Sequence, residues 1–324
     1  MRPINEYRAL FIKHLEQRIA IKEPLGLYEP VHYILSMPAK RLRPVLTLMT
    51  ADVFGAETEV ALDAALAVEL FHNFTLMHDD IMDNALLRRG QKTVHEKWNI
   101  NTGILSGDVM FVMAQQCLAS YPPKIFAELS GLFHTIAVKV CEGQQYDVDF
   151  ETRQQVTIPE YLKMIEYKTA VLVAAAMKMG AITAHAPRKQ AIIIYNFGLH
   201  LGIAFQLKDD YLDVFGTAET FGKKIGGDIA ANKKTFLYLK ALTTLHEADA
   251  GELQQLYSES PKNNSGKIKR VKELFLESKA DVHTLAQVNH YTQCAFDFLE
   301  MLDIDAKAKA ALRNFAEGLM DRAV

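Results

Sequence analysis

The sequence predicts an all-α fold. The chain has 324 residues and is 49% hydrophobic, which is enough to build a substantial core. Apolar residues recur at helical spacing along most of the chain, whereas alternating runs of β-branched residues are almost absent. No composition change marks a domain boundary, and no fixed repeat period indicates a solenoid. We therefore expect residues 1–324 to be helical throughout, in one large domain or two smaller ones.

Composition excludes several classes of partner. The net charge of −3 gives no general attraction to nucleic acid or to an anionic membrane. The cysteines, Cys117, Cys141 and Cys294, are widely spaced and odd in number, which argues against a disulfide framework or a zinc site. The N-terminus shows no targeting signal, so we expect a cytoplasmic protein in a reducing compartment.

The segment Ala191–Leu207 raises the question of a membrane span, because its 17 residues carry no formal charge. It contains Asn196, His200 and Gln206, and it runs directly into a group of acidic residues. These polar residues favour a buried helix. We therefore expect a soluble protein without stable membrane insertion.

An acidic cluster ends one apolar helical run. Asp79, Asp80 and Asp83 lie within Ala61–Leu87, a segment almost free of Gly and Pro. On a helix Asp79 and Asp83 share a face, where two like charges destabilise the helix by about 0.2–0.5 kcal/mol. We therefore expect a cation beside this cluster.

A second cluster with the same pattern, Asp209, Asp210 and Asp213, follows the apolar segment Ala191–Leu207. A solvated helix face would explain one such cluster. Two clusters that each end an apolar run indicate a functional site instead, because local rules are broken most often at such sites. Carboxylate oxygens without cysteine suit Mg²⁺, which commonly bridges to substrate phosphates.

Basic residues near the first cluster are typical of a phosphate site. Arg88 and Arg89 follow the cluster and carry forked donors that match phosphate oxygens. Lys40 and Arg43 precede a helix that we expect to begin two residues after Arg43, and a helix N-terminus favours anions. His72 shares a helical stripe with the acidic residues, as a structural hydrogen bonder or as a phosphate donor. Together with the acidic clusters, these residues predict a diphosphate substrate.

Apolar residues on the flank of the first acidic helix have two interpretations. Phe71, Phe74 and Thr75 lie one to two turns before the acidic cluster. They are either ordinary core residues or the floor of an apolar pocket that runs down from the metal site.

The region around the second cluster adds further candidates. Lys168 and Thr169 open a predicted apolar helix, and Gln206 lies on the face of the second acidic cluster. Because an amide is costly to bury without a partner, we expect the Gln206 oxygen to face a developing positive charge. Lys223 and Lys233 belong to a basic stretch that contains glycines. This stretch is either a loop that closes over a polyanion or an ordinary surface loop.

Taken together, these residues resemble the trans-isoprenyl diphosphate synthases, the all-α prenyltransferases that include farnesyl and geranylgeranyl diphosphate synthases. The resemblance covers residues 40–235 in the family's order and includes two DDxxD motifs. It implies a single-domain helical bundle of the isoprenoid synthase type with a deep central cavity. It also implies a homodimer whose substrates are isopentenyl diphosphate and an allylic diphosphate.

The resemblance further implies a role for each matching residue. The principal ligands of a magnesium cluster, in which Mn²⁺ can substitute, are Asp79, Asp83 and Asp209. The supporting or water-mediated ligands are Asp80, Asp210, Asp213 and Asp228. The isopentenyl diphosphate site comprises Lys40, Arg43, His72 and Arg89. The groups that hold the allylic diphosphate are Arg88, Lys168, Lys223 and Lys233. The residues near the allylic carbon are Thr169 and Gln206, and those that limit product length are Phe74, Phe71 and Thr75.

The implied reaction is magnesium-assisted ionisation of the allylic diphosphate, attack by isopentenyl diphosphate and loss of a proton. Its expected product is farnesyl or geranylgeranyl diphosphate, together with pyrophosphate. One alternative is a class I terpene cyclase, whose second metal site usually has an Asn/Ser/Glu pattern. Another is a noncatalytic regulatory subunit of a heteromeric synthase, which typically lacks one acidic motif. Both motifs are intact here.

Overall fold

The computed structural model of the chain is almost entirely helical and confirms the all-α prediction. It describes residues 1–217, 225–259, 261 and 263–321. The α-helices are α1 (Ile4–Arg18), α2 (Leu25–Ser36), α3 (Leu42–Val53), α4 (Leu62–Met82), α5 (Val94–Lys97), α6 (Ile100–Leu118), α7 (Pro123–Thr152), α8 (Ile158–Ile165), α9 (Val171–Thr183), α10 (Arg188–Phe215), α11 (Gly227–Ala230), α12 (Phe236–Thr244), α13 (Glu247–Ser258), α14 (Ser265–Glu277), α15 (Ala280–Glu300) and α16 (Ala306–Met320). A 3-10 helix, Thr58–Ala61, precedes α4, and a π-helical segment, Glu166–Ala170, joins α8 to α9.

The chain divides into two compact units. Unit 1 comprises Met1–His134 and Ala175–Ile192, and unit 2 comprises Thr135–Ala174 and Ile193–Val324. The first acidic motif lies in unit 1 and the second in unit 2. The single domain with a deep central cavity stays a prediction.

Unit 1 is built around α4. This helix has apolar residues on every side and packs against α3 and α6. Leu66, Leu70 and Phe71 are completely buried. Because a helix that is apolar all round is stable only when it is surrounded by other elements, its sequence makes α4 a core helix.

A short hairpin follows α4 and corrects the helix boundary expected from the sequence. The helix ends at Met82, so the apolar pattern up to Leu87 does not continue it. Two-residue strands, β1 (Leu87–Arg88) and β2 (Gln91–Lys92), pair antiparallel instead. Asn84, with φ 49°, and Gly90, with φ 77°, turn the chain here, because the left-handed region interrupts a right-handed helix.

The start of α3 also differs from the expectation. The helix begins at Leu42 rather than near residue 45. Arg41 just before it has left-handed backbone angles, φ 51° and ψ 41°. Pro44 lies in the first turn, where its missing N–H breaks no helical hydrogen bond.

Unit 2 has a separate core beneath the second acidic motif. The C-terminal half of α10 packs into this core through Ile203 and Leu207, and α14 contributes Leu274 and Phe275. All four of these residues are nearly or completely buried. The apolar run before the second motif therefore anchors it to a packed core.

Two helices are long and apolar enough to cross a membrane by length and composition. One is Arg188–Phe215, which contains the segment Ala191–Leu207 discussed above, and the other, Thr58–Met82, is not indicated by the sequence analysis. Within their apolar windows, 56% of the α10 residues and 61% of the Thr58–Met82 residues are buried inside the protein, as in core helices of soluble proteins. The cytoplasmic location stays a prediction.

Candidate functional site

The middle residue of the first acidic motif, Asp80, forms an ion pair with an arginine side chain. Asp80 is 2% exposed, and both of its carboxylate oxygens accept hydrogen bonds of 2.7 Å from the guanidinium of Arg88. Asp79 is half-buried in the last turn of α4, and Asp83 is exposed directly after it. The hairpin thus places Arg88 against the cluster, where the sequence predicted a positive charge.

A second group of basic residues in unit 1 surrounds His72. Arg43 Nη1 lies 3.0 Å from His72 Nε2. Because a guanidinium only donates hydrogen bonds, His72 is the acceptor and is neutral. Burial, followed by the charges of Arg43, Arg89, Arg88 and Arg41, holds the pKa of His72 well below its usual value.

Arg43 and Arg89 each lie close to other arginines. Burial lowers the pKa of Arg43 to about 10, with Glu69 opposing the shift, and burial also lowers the pKa of Arg89. The Nε of Arg43 is buried and has no hydrogen-bond partner among the described residues. Lys40, three residues before Arg43, is exposed. Such a group of cations with an unsatisfied donor fits an anionic ligand.

The two predicted chain-length aromatics belong to a larger aromatic cluster. The ring centroids of Phe71 and Phe74 are 5.6 Å apart. Phe111 on α6 lies 5.4 Å from Phe74, and Phe133 on α7 lies 5.3 Å from Phe71. Thr75, beside Phe74, donates its hydroxyl to the carbonyl of His72 at 2.9 Å. Sequence analysis missed Phe111 and Phe133, because an aromatic in an apolar helix resembles any core residue.

The second acidic motif concentrates carboxylates in unit 2. The hydroxyl of Tyr161 donates to Asp210 Oδ2 at 2.5 Å. Burial, then the charges of Asp228 and Asp209, raises the pKa of Asp210 well above its usual value. The backbone N–H of Asp228 donates to Asp213 Oδ2 at 2.9 Å, which holds a fourth carboxylate residue at the motif. This crowding of negative charge favours a bound cation.

Gln206 has hydrogen-bond partners for both atoms of its amide. Its Oε1 accepts from the hydroxyl of Thr169 at 3.0 Å, and its Nε2 donates to Asp210 Oδ1 at 2.8 Å. The predicted cost of burying this amide is therefore removed. The same two contacts fix the orientation of its oxygen beside Thr169.

Lys168 and Thr169 lie in the π-helical segment and do not open a helix, which corrects the sequence expectation. Lys168 Nζ lies 2.5 Å from Asp147 Oδ2, and Lys233 Nζ lies 4.0 Å from the same oxygen. The pKa of Asp147 is lowered, because attraction to these two lysines outweighs the effect of burial. π-Helical turns occur frequently at functional sites. Two predicted diphosphate-binding lysines thus share one carboxylate.

Sequence analysis missed Asp147 and Gly143, which lie four residues apart on α7. A Cβ added at Gly143 would stand 2.2 Å from the backbone N of Lys168, so only glycine permits this approach. A glycine inside a long helix, with an acid one turn later, is the signal that would have found them. Lys223 lies outside the described residues.

The donor set fits a divalent cation that is shared with a substrate. Within the described ranges, no three acidic, histidine or cysteine residues converge on a ready-made metal site. The carboxylates at each motif are hard oxygen donors, which Mg²⁺ prefers, and Mg²⁺ typically takes only one or two of them together with waters and substrate phosphates. The residues therefore fit magnesium as a partner of a bound diphosphate.

Comparisons with known proteins agree with these observations. A family model described as polyprenyl synthetase matches residues 25–275. A geranylgeranyl pyrophosphate synthase of Geoglobus acetivorans is 33% identical over 321 residues, 98% of either chain. A crystal structure of a geranylgeranyl pyrophosphate synthase has a TM-score of 0.96 and 48% identity, and covers 100% of both chains. A geranylgeranyl pyrophosphate synthase of Corynebacterium glutamicum, complexed with isoprenyl diphosphate and magnesium, has a TM-score of 0.85 and 25% identity, and covers 99% of this chain and 98% of that one.

Proposed function

Because this chain belongs to the polyprenyl synthetase family, we propose that it condenses isopentenyl diphosphate with an allylic diphosphate and releases pyrophosphate, with geranylgeranyl diphosphate as the main product. One observation carries this proposal: the two acidic motifs each lie beside a separate basic set. Arg43 and Arg89, which both act on the neutral His72, form one set, and Arg89 also interacts with Asp80 of the first motif. Lys168 and Lys233 form the other set. Two basic sets match two diphosphate substrates, whereas a terpene cyclase binds and ionises a single diphosphate substrate.

We assign the ligands of the magnesium ions to Asp79, Asp83 and Asp209, with Asp80, Asp210, Asp213 and Asp228 in supporting positions. When bound, Mg²⁺ stabilises the negative charge that develops on the departing diphosphate. The chemistry of the carboxylates and the magnesium complex of the Corynebacterium glutamicum relative support this assignment.

The remaining residues bind and orient the two substrates. Lys168 and Lys233, held together by Asp147, hold the allylic diphosphate while its carbon–oxygen bond breaks. The Gln206 carbonyl oxygen, fixed by its contacts to Thr169 and Asp210, places a partial negative charge beside the allylic cation. The isopentenyl diphosphate site, with Arg43 and His72, aligns the attacking double bond, and this positioning supplies much of the acceleration. The released pyrophosphate accepts the final proton, so no side-chain base is needed.

Product analysis tests this function. The purified chain is incubated with Mg²⁺, isopentenyl diphosphate and, in separate reactions, dimethylallyl, geranyl or farnesyl diphosphate, and the dephosphorylated products are identified by mass spectrometry. We expect geranylgeraniol from all three starters. If farnesol is the end product and the farnesyl starter is not elongated, the main product is farnesyl diphosphate and not geranylgeranyl diphosphate. A hydrocarbon formed without isopentenyl diphosphate would contradict the proposal.

The aromatic cluster in unit 1 is expected to set the product length. Replacing Phe74 or Phe111 by Ala removes one of two rings that lie 5.4 Å apart, which opens room for a longer chain. Each variant should therefore extend the product distribution by at least one isoprene unit on thin-layer chromatography. Phe54→Ala, at a half-buried residue just after α3, is the matched control and should leave the distribution unchanged. An unchanged distribution in both cluster variants would show that this cluster is only core.

Exposed apolar residues on α6 support the proposed homodimer. Leu105 and Val112 are 61% and 51% exposed and lie two helical turns apart on one face. We expect wild type to run as a dimer in light scattering after gel filtration, and Leu105→Asp/Val112→Asp to run as a monomer, because an interface core excludes unpaired charge. Val282→Asp, at an exposed valine of α15, is the control and should stay dimeric. A dimeric double variant would place the interface elsewhere.

A further inference from the structure

Arg41 is a buried arginine that neither the acidic motifs nor the predicted binding residues explain. It is 6% exposed and directly precedes α3. Its φ of 51° is a conformation that side chains with a Cβ rarely adopt, so its surroundings must hold it there. Its guanidinium donates to the carbonyl oxygens of Leu35 and Met37, the second at 3.2 Å, and to the carboxylate of Glu69.

Glu69, the partner of Arg41, accepts a second hydrogen bond from its own helix at the same carboxylate oxygen. It is 2% exposed on α4. Asn73 Nδ2 donates to Glu69 Oε1 at 3.1 Å and to the Glu69 carbonyl at 2.8 Å. The carboxylate is therefore fixed between an arginine from the start of α3 and an amide one turn later on α4. We call the Arg41–Glu69 ion pair the buried bridge.

The buried bridge lies beside the two groups assigned to isopentenyl diphosphate. Arg43 is two residues after Arg41, and His72 is three residues after Glu69, one helical turn along the same face. The contact between Arg43 Nη1 and His72 Nε2, at 3.0 Å, spans the same two helices. An increase in the distance between the start of α3 and this turn of α4 would therefore separate Arg43 from His72.

The charge of Glu69 also acts on this group. Among the charged groups that affect the pKa of Arg43 and of Arg89, Glu69 raises it in both cases, against the lowering caused by burial and by neighbouring arginines. A simple electrostatic argument then predicts that loss of the Glu69 charge makes the site more positive and strengthens diphosphate binding. A positioning role predicts the opposite sign.

We propose that the buried bridge is a positioning device for the isopentenyl diphosphate site: by fixing α3 against α4, it holds Arg43 and His72 at the spacing that one diphosphate requires. The proposal rests on the assignment of Arg43 and His72 given above. It adds Arg41 and Glu69 as positioning residues that do not touch the substrate.

The test is steady-state kinetics of Glu69→Gln, which keeps the shape and one acceptor oxygen but removes the charge. We expect the KM for isopentenyl diphosphate to rise at least tenfold. We expect the KM for geranyl diphosphate and kcat at saturation to change less than threefold. Glu29→Gln, at an exposed glutamate of α2, is the matched control and should equal wild type.

Several outcomes would overturn the proposal. A lower or unchanged KM for isopentenyl diphosphate would show that Glu69 acts only as a charge or not at all. A parallel rise of both KM values would show a general loss of structure. Arg43→Gln is measured alongside: if it leaves the KM for isopentenyl diphosphate unchanged, the site assignment fails and the bridge with it. An effect of Arg43→Gln without one of Glu69→Gln overturns the bridge alone.

A second variant keeps the test decisive if Glu69→Gln does not fold. Arg41→Met/Glu69→Met replaces the whole ion pair by apolar side chains, an exchange that buried pairs often tolerate without loss of stability. We expect this variant to fold, as judged by circular dichroism, and to show the same selective rise of the KM for isopentenyl diphosphate. Wild-type kinetics in the folded variant would overturn the proposal.

Discussion

Asp79→Asn is expected to lower kcat by about 10³-fold while leaving the melting temperature close to that of wild type. Metal-ion stabilisation of a leaving group contributes several kcal/mol, and ~4 kcal/mol corresponds to about three decades in rate. Asp79 is half-buried at the end of α4, so the isosteric amide leaves the packing unchanged. The measurement is pyrophosphate release at saturating concentrations of both substrates and Mg²⁺.

Two companion variants show whether the Asp79 effect arises from the metal. Asp209→Asn in the second motif should lower kcat by a similar factor, and the double variant should lose less than the product of the two single losses, because residues that act as a unit are not additive. Asp297→Asn, at an exposed aspartate of α15, should behave as wild type. Near-normal activity of Asp79→Asn with intact structure would remove Asp79 from the ligand set.

Gly143→Ala is expected to give the second large effect, on both stability and substrate binding. The added Cβ would stand 2.2 Å from the backbone N of Lys168 and 2.7 Å from its Cα, and backbone atoms cannot yield as a flexible side chain can. Overpacking of this kind typically costs about 1–3 kcal/mol. Because the displaced segment carries Lys168, the KM for the allylic diphosphate should rise more than tenfold. Urea unfolding and steady-state kinetics measure the two effects.

Gly131→Ala is the matched control for this steric effect. It makes the same substitution earlier in α7, at a position where an added Cβ meets nothing within 4 Å. This control should stabilise the protein by up to about 1 kcal/mol, because alanine is the better helix former. If Gly143→Ala behaved like Gly131→Ala, the close approach of α7 to the π-helical segment would not matter for the site.

The sequence predicts helices well here because their apolar faces are continuous. α4 and α10 are long apolar helices that each end in an acidic motif. The helical spacing of their apolar residues is enough to predict both helices. The hairpin at Leu87–Lys92 could not be predicted in this way, because strands of two residues are too short to show an alternating pattern. The π-helical segment around Lys168 could not be predicted from apolar spacing either, for a different reason. Its backbone is closely approached by Gly143 of another helix, and no local sequence period indicates such a contact.

Ion-pair partners are the part of the site that sequence reasoning could not supply. Asp147 lies 21 residues before Lys168, and Glu69 lies 28 residues after Arg41. Neither acid belongs to a motif, so only folding reveals which cation each one holds. The first acidic cluster differs in part, because the repulsion within it predicts a positive charge beside it, and the structure shows that Arg88 supplies this charge.

The most direct test of the function is pyrophosphate release by the purified chain alone, with each reactant omitted in turn. We predict release only when Mg²⁺, isopentenyl diphosphate and an allylic diphosphate are all present, with one pyrophosphate formed per isoprene unit added. Release from the allylic diphosphate without isopentenyl diphosphate, or no release until another protein is added, would contradict the account.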